Sequence, residues 1–567
     1  MDASQWLLFL LFVQLVHFAG TWKLYRKAGR KAWEAAIPVY NAIVLMQIIR
    51  RPKWWVVLLF IPIINLLMFP VIWVETIRSF GRNSLVDTWL VILTLGFYTY
   101  YVNYALDVSY VEDRSLHPKS GAGEWVSSIV FAIVAATLVH TYFMQPYVIP
   151  TGSLEKTLLV GDFLFVSKFH YGARTPMTTI AAPMVHDTLP VLGVRSYLKK
   201  PQLPYFRLPG FQKIKRNDIV VFSWPADTVR VFFKKEEGVD KPIDKKSNYV
   251  KRCVGLPGDS LSVVRGYVHI NGERTALPGR AKPQYTFAVF ANKGVSSRLL
   301  LEQGVTEFNR KYLSAPLNQA QLAALSKYLL GANQNTAGEI ELYTGYRGIP
   351  AKVVRQAGLS LREVTDRERY VTMTDKEAAA LRQNGTIDSV VKQLQPIGQP
   401  GVNIFPHDNA YPWNNDNFGP IYIPEAGKTV ALDPQVLPLY KKIIRDYEGN
   451  TLSVSGNEIR INGKVTDRYT FKQDYYWMMG DNRHRSEDSR TWGYVPENHI
   501  VGKPVFIWMS IDGINDGISN WKPRWERFFT TVHGDGEPRS YFRYFLFLLA
   551  GWFVFDYFRK RRKKAKK

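Results

Sequence analysis

The apolar runs of this chain limit its fold more than any other feature. Five of them, at about 5–20, 54–75, 88–106, 125–143 and 541–558, approach the length a helix needs to cross a hydrocarbon core of about 30 Å. Lipid offers no partner to backbone N–H and C=O groups, so such segments are expected as helices that bond internally. No basic stretch precedes the first run and no small-residue cleavage site follows it, so it is expected to stay as a span. The run at 37–49 is shorter and lies between Arg30, Lys31 and Arg50, Arg51, which suits a helix in the membrane interface.

Basic flanks set an orientation. Lys23, Arg26, Lys27, Arg30 and Lys31 follow the first run and a basic block, 559–567, follows the last; both are expected in the cytoplasm. Five spans then place the 107–124 loop inside and 144–540 outside, leaving Arg78 and Arg82 on the outer side against the rule. A basic tail could also bind nucleic acid. Directly after an apolar run it reads instead as a lipid-facing anchor, and no nucleic-acid partner is expected.

The mean hydropathy of -0.14 averages these apolar ends with a soluble centre, 147–538. That centre reads as mostly β, with short β-branched or aromatic runs at 162–168, 218–223, 249–254 and 260–264 between Gly, Pro, Asn and Asp. Asn271-Gly272 and Asn462-Gly463 each end such a run and are expected to turn hairpins. Thr374 and Glu377, before an Ala-rich stretch, have the spacing of a capping box. The segment 275–470 carries none of the candidate chemistry and reads as an inserted mixed α/β domain. Cys253 is the only cysteine and the ten histidines show no ligand spacing, so neither a metal nor another cofactor is expected.

Three islands carry the chemistry. Ser153 follows Pro150-Thr-Gly just beyond the apolar run that ends at Phe143. A serine hydroxyl needs a base to take its proton. His170, His484 and His499 are the nearest histidines in sequence to the islands, but no GxSxG elbow supports a Ser–His pair. Lys251 is the other candidate. It can act only when neutral, which requires burial to lower its pKa from about 10.4. Strand alternation puts Tyr249, Lys251 and Cys253 on one face and turns Arg252 to the other, where it is expected to meet solvent.

Together the islands resemble type I signal peptidase, the membrane-bound bacterial leader peptidase of the Ser–Lys class. The stretch 150–158, with Gly161-Asp162 after it, is similar to that family's nucleophile box, and 216–222 to its next strand. The lysine box is matched by 249–259 and the last box by 480–497; the likeness is strong over about 125–270 and 465–510. Two departures stand out in the nucleophile box, where Leu154 replaces the common Met and Lys156 replaces a Pro. His484-Arg485 stands where the family has Asp-Asn.

The resemblance implies that Ser153 is the nucleophile and Lys251 the general base. It implies an oxyanion hole from the Ser153 N–H and the Thr151 hydroxyl. Ser486 would orient Lys251, Asp488 and Arg490 would pair to hold the last box, and Asp481 would support the site. The implied fold is a mainly β catalytic domain of the signal peptidase type; the inserted mixed α/β domain and the several transmembrane helices that anchor it are read from the sequence, and the extra early spans, the insert and the last span are not part of the simplest members. Its parts are a multi-span region at 1–123, an anchor at 124–143, catalytic sequence at 144–274 and 471–538, the insert at 275–470, a last span at 541–558 and a tail at 559–567. The implied protein is a serine endopeptidase in the bacterial cytoplasmic membrane, facing outward. Its expected partners are signal peptides of exported preproteins, the bilayer and, conceivably, translocation machinery. Cleavage would follow small residues in an A-x-A-like pattern. The competing expectation is a non-catalytic envelope protein that keeps this fold as a binding or scaffolding module.

Overall fold

The computed structural model describes residues 3–117, 121–228 and 238–565; the last two residues of the basic tail lie outside them. Its organising sheet contains β1 (Met144–Val148), β2 (Asp162–Ser167), β3 (Ile219–Ser223) and β4 (Asn248–Gly255). The order is β1, β2, Ile500–Asp512, β3, β4, Tyr475–Met479, Val495–Pro496, with antiparallel neighbours throughout.

β3 explains its own unbroken apolar sequence, because both of its faces are covered. Ile219 and Val221 pack with Ile149, Leu154, Leu164 and Val166. Val220 and Phe222 pack on the other side with Cys253, Tyr476, Met478 and Trp492. Ile149 and Leu154 flank Ser153, so the first of these cores fixes both ends of the Ser153 segment. Gly161 follows that segment at φ +89, and a Cβ there would lie 1.9 Å from the Ile511 carbonyl oxygen, so only glycine fits. β4 lies beside β3, with Lys251 opposite Val220 and Arg252 opposite Ile219.

Both Asn-Gly hairpins form. Asn271 and Gly272, and likewise Asn462 and Gly463, take positive φ between paired strands, as a two-residue turn with this handedness requires. Thr374 caps the Asp375–Arg382 helix, with its side chain accepting from the Glu377 N–H and the Glu377 carboxylate accepting in return.

The segment 275–470 divides in space. Strand Gln284–Phe290 pairs with Glu368–Thr374 and Ser389–Lys392, and the Ser297–Glu302 and Asp375–Arg382 helices close that core. A second sheet is built on Asn309–Ser314 and Ile340–Gly345. Farther along, Phe418–Tyr422 pairs with Ser260–Val264, and one core holds Val254, Leu261, Phe418, Tyr440 and Trp477.

The apolar runs give fewer straight spans than five. Among the described residues, Ser4–Lys27 and Gly121–Phe143 are long and apolar enough to cross a membrane alone. The run at 54–75 is broken into Trp55–Leu58 and Ile64–Arg78, with Ile63 at φ +71 between them. The run at 88–106 becomes Leu85–Leu93 and Tyr98–Tyr104, bent by 118°. The Tyr40–Ile48 helix packs Val44, Met46 and Ile48 against neighbouring helices. The last run opens the Phe542–Ala565 helix, which also carries Arg543, Asp556 and the basic block as far as Ala565.

Candidate active site

Ser153 occupies the middle of a single 3-10 turn, Gly152–Leu154. The leading N–H groups of such a turn have no partner within it, so the Ser153 N–H is available to a ligand. The rear of the turn is held by the last island. The Asn482 N–H donates to the Ser153 carbonyl oxygen at 3.0 Å and the Asn482 Nδ2 to that of Gly152 at 3.2 Å. Gly480 makes room for this: a Cβ there would come within 2.6 Å of the Ser153 carbonyl oxygen and 2.2 Å of the Ser486 Oγ.

Lys251 reaches the turn from β4. Its Nζ lies 2.5 Å from the Ser153 Oγ, and among the described residues no other side chain bonds that hydroxyl. Only 3% of Lys251 is exposed. Burial pulls its pKa down to about 8, against the nearby negative charges of Asp488 and Glu487, which favour the ammonium form. The Nζ also stands 5.5 Å from the centre of the Tyr249 ring, two residues earlier on the same strand face.

Arg252 corrects the sequence expectation. It does turn to the opposite face, but it is buried rather than solvated. Its guanidinium donates to both oxygens of Asp481, at 2.7 and 2.6 Å. Burial alone would raise the Asp481 carboxyl; the Arg252 charge and hydrogen bonds outweigh it and hold the group below the ordinary value. Asp481 also accepts from the Thr157 Oγ1 at 2.6 Å, which joins it to the segment that carries Ser153.

Asp488 and Arg490 are a second buried pair, at 2.9 and 2.8 Å. Arg490 also donates to the Arg483 carbonyl at 2.6 Å, so the pair closes the loop from 480 to 490. Ser486 is brought to the site but makes no hydrogen bond to Lys251; its hydroxyl has one long contact, 3.5 Å to the Glu487 carbonyl. Thr151 is exposed two residues before Ser153 and its hydroxyl does not cap the turn.

The histidines are engaged elsewhere. The His170 Nδ1 is 2.5 Å from the Ser167 Oγ. His484 lies 2.8 Å from Asp416 and accepts from the Thr286 N–H. His499 is buried, with its Nδ1 2.7 Å from the Asn498 Oδ1. Cys253 is buried against the apolar side of the sheet, and burial pushes its thiol well above its usual pKa.

Sequence reasoning missed the contribution of the 275–470 segment. Ser153 and Lys251 open into a cleft of about 620 Å³, one wall of which is formed by Thr306, Glu307, Phe308, Asn309, Tyr346 and Arg347. Glu155, two residues after Ser153, also lines it; burial and the neighbouring Glu307 raise its pKa to about 7. Lys156, the departure from the common Pro, forms an ion pair with Glu377 and donates to the Gly304 carbonyl at 3.1 Å. Its unusual identity was the one visible signal. Nothing local in the sequence marks Glu307.

Comparison with known proteins identifies the family. A family model described as signal peptidase, peptidase S26, matches residues 122–335 and 423–509. A separate family of unknown function matches 33–113. The signal peptidase I of Haemophilus influenzae is 22% identical over 433 residues, covering 74% of this chain and 79% of that protein. That of Buchnera aphidicola subsp. Schizaphis graminum is 23% identical over 400 residues, covering 68% and 75%. The Rickettsia massiliae signal peptidase I is 28% identical over 156 residues, which is 28% of this chain and 45% of that protein. The S26 match takes in more than half of the sequence and includes Ser153, Lys251 and the 480–490 loop, and by that measure the chain belongs to the signal peptidase family, peptidase S26.

Proposed function

We propose that this protein is a membrane-anchored serine endopeptidase that removes signal peptides from exported preproteins, with Ser153 as nucleophile and Lys251 as base. The 2.5 Å approach of the Lys251 Nζ to the Ser153 Oγ carries this reading. Neutral Lys251 takes the hydroxyl proton as the Ser153 Oγ attacks the scissile carbonyl carbon. The charge that develops on the carbonyl oxygen falls to the free Ser153 N–H and the exposed Thr151 hydroxyl. As the C–N bond breaks, the Lys251 ammonium gives its proton to the leaving amine, which is the new N-terminus of the mature protein. The ester on Ser153 is then hydrolysed by water that Lys251 deprotonates. Asp481 with Arg252, and Asp488 with Arg490, hold the two segments in register. Ser486, brought to the site beside Gly480, is the proposed orienting group for Lys251.

We place the catalytic sheet on the outer face of the cytoplasmic membrane. Taking Ser4–Lys27, Gly121–Phe143 and the start of the Phe542–Ala565 helix as the spans reduces the count from five to three. An even change leaves the orientation untouched. It also returns Arg78 and Arg82 to the cytoplasmic side, as their charge requires. Signal peptides and lipid are then the partners the site meets.

The test is cleavage of a preprotein by the detergent-solubilised protein, compared with Ser153→Ala and Lys251→Ala. Clean N-terminal truncation by wild type and none by either variant is expected. Near-normal cleavage by either variant would sink the dyad.

A further inference from the structure

The inserted segment grips the nucleophile turn rather than standing apart from it. The Gln284 Nε2 donates to the Glu155 carbonyl at 2.7 Å, and Lys156 is tied to Gly304 and Glu377. The third contact bears on the reacting centre. Glu307 accepts from the Asn482 Nδ2, which is 3.0 Å from each of its carboxylate oxygens. The same Nδ2 donates to the Gly152 carbonyl at 3.2 Å.

We propose that Glu307 is a positioning residue for the oxyanion-binding N–H of Ser153, acting through the amide of Asn482. The inference rests on the catalytic role proposed for Ser153. The Gly152 C=O and the Ser153 N–H belong to one planar, trans peptide unit and point in opposite directions. Whatever holds the carbonyl therefore aims the N–H. Asn482 can hold it only with its NH2 side, because a carbonyl is an acceptor. A carboxylate at Glu307 is an acceptor too, so both neighbours demand the same amide orientation. Turning the amide over would set its oxygen against the Gly152 carbonyl and two carboxylate oxygens. Asn482 is 1% exposed and its Oδ1 has no partner, so nothing on the other side competes for its orientation.

Glu307 is itself fixed. Its carbonyl accepts from the Thr372 N–H at 2.8 Å and its carboxylate lies 3.6 Å from the Arg485 guanidinium. The Asn482 N–H to the Ser153 carbonyl completes a clamp on two successive carbonyls of the turn. The segment thus reaches the chemistry through one buried amide.

Steady-state cleavage of a preprotein by the full-length protein in detergent tests this. Glu307→Ala should lower kcat about 10- to 100-fold, less than or equal to the loss of an oxyanion donor itself, with KM within about twofold. Glu307→Gln, whose Oε1 still accepts from Asn482, should restore most of the rate. A peptide aldehyde, which adds to Ser153 and places an oxyanion in the hole, should weaken in step with kcat. A peptide of the same sequence without the electrophile should bind unchanged. Glu307→Asp withdraws the acceptor by one methylene and serves if thermal unfolding shows the alanine variant to be misfolded; it too should lose kcat alone. A kcat within twofold of wild type for folded Glu307→Ala or Glu307→Asp, or equal weakening of both peptides, overturns the inference. If wild type does not cleave, the catalytic reading falls and this one with it; if wild type cleaves and the folded Ala and Asp variants match it, this inference alone falls.

Discussion

Arg252 and Asp481 form a bidentate ion pair with Nε to Oδ1 at 2.7 Å and Nη2 to Oδ2 at 2.6 Å, and both side chains are buried. The pair joins the strand that carries Lys251 to the loop that holds the Ser153 turn. Removing one partner strands the other charge away from water, which costs about 3–5 kcal/mol. Asp481→Ala should therefore lower stability by about that amount and reduce cleavage, as read by denaturant unfolding and by activity of the same preparation. The Asp481 pKa is held below its ordinary value, so its contribution is present above the unfolded carboxylate pKa of about 3.9 and is lost as pH falls through the folded one. A variant as stable as wild type at neutral pH would show the pair to be incidental.

Lys251 must be neutral to take a proton, and its pKa is lowered to about 8, chiefly by burial. The rate constant kcat/KM should rise with pH through about 8 and level off above it. Lys251→Arg, which stays charged, should lose roughly 10²- to 10⁴-fold. A limb near the ordinary histidine value, or a flat profile, would remove lysine from the base position.

The acidic neighbours of Lys251 oppose that lowering, and Glu487 is one of them. Glu487→Gln removes a charge that favours the ammonium form, so the limb of the pH–rate profile should move to lower pH with the plateau rate little changed. A shift to higher pH, or none, would mean that the field of Glu487 does not reach Lys251.

The backbone at Lys156 has φ +66, a conformation closed to proline, whose ring fixes φ near −65°. Restoring the residue common to the resembling box, by Lys156→Pro, should thus harm this protein. A destabilisation of more than about 1 kcal/mol is expected, with reduced cleavage. Lys156→Gly should cost less, because glycine accepts the backbone and only the Glu377 and Gly304 contacts are lost. Thermal unfolding of both variants checks the order; a proline variant as stable as wild type would refute it.

What was legible in the sequence was local or recurrent. Strand β4 showed its alternation, the Asn-Gly turns and the Thr374 cap carried their own signals, and Ser153 and Lys251 stood in boxes that a family resemblance could assign. What was hidden depends on chain segments far apart in sequence. Arg252 looked solvated because its partner Asp481 is 229 residues away. Glu307 looked like any surface glutamate, since its neighbour Asn482 lies 175 residues on. The breaks at 59–63 and between the Leu85–Leu93 and Tyr98–Tyr104 helices were hidden for another reason. Hydropathy counts apolar residues and is blind to a positive φ at Ile63 or to a sharp bend.

The membrane arrangement can be read with single cysteines, because Cys253 is 0% exposed and should give little background. Leu330 is exposed on the sheet built on Asn309–Ser314, Asn83 is exposed between the early helices, and Lys560 is exposed on the terminal helix. In right-side-out membrane vesicles an impermeant maleimide should label Leu330→Cys and spare Asn83→Cys and Lys560→Cys until detergent is added. The Asn83 position separates the two span counts, since five straight spans would put it outside and three put it inside. Labelling there in sealed vesicles would restore the five-span arrangement. Labelling of Lys560→Cys without Leu330→Cys would reverse the orientation, turning the cleft into the cytoplasm where no translocated signal peptide would reach it.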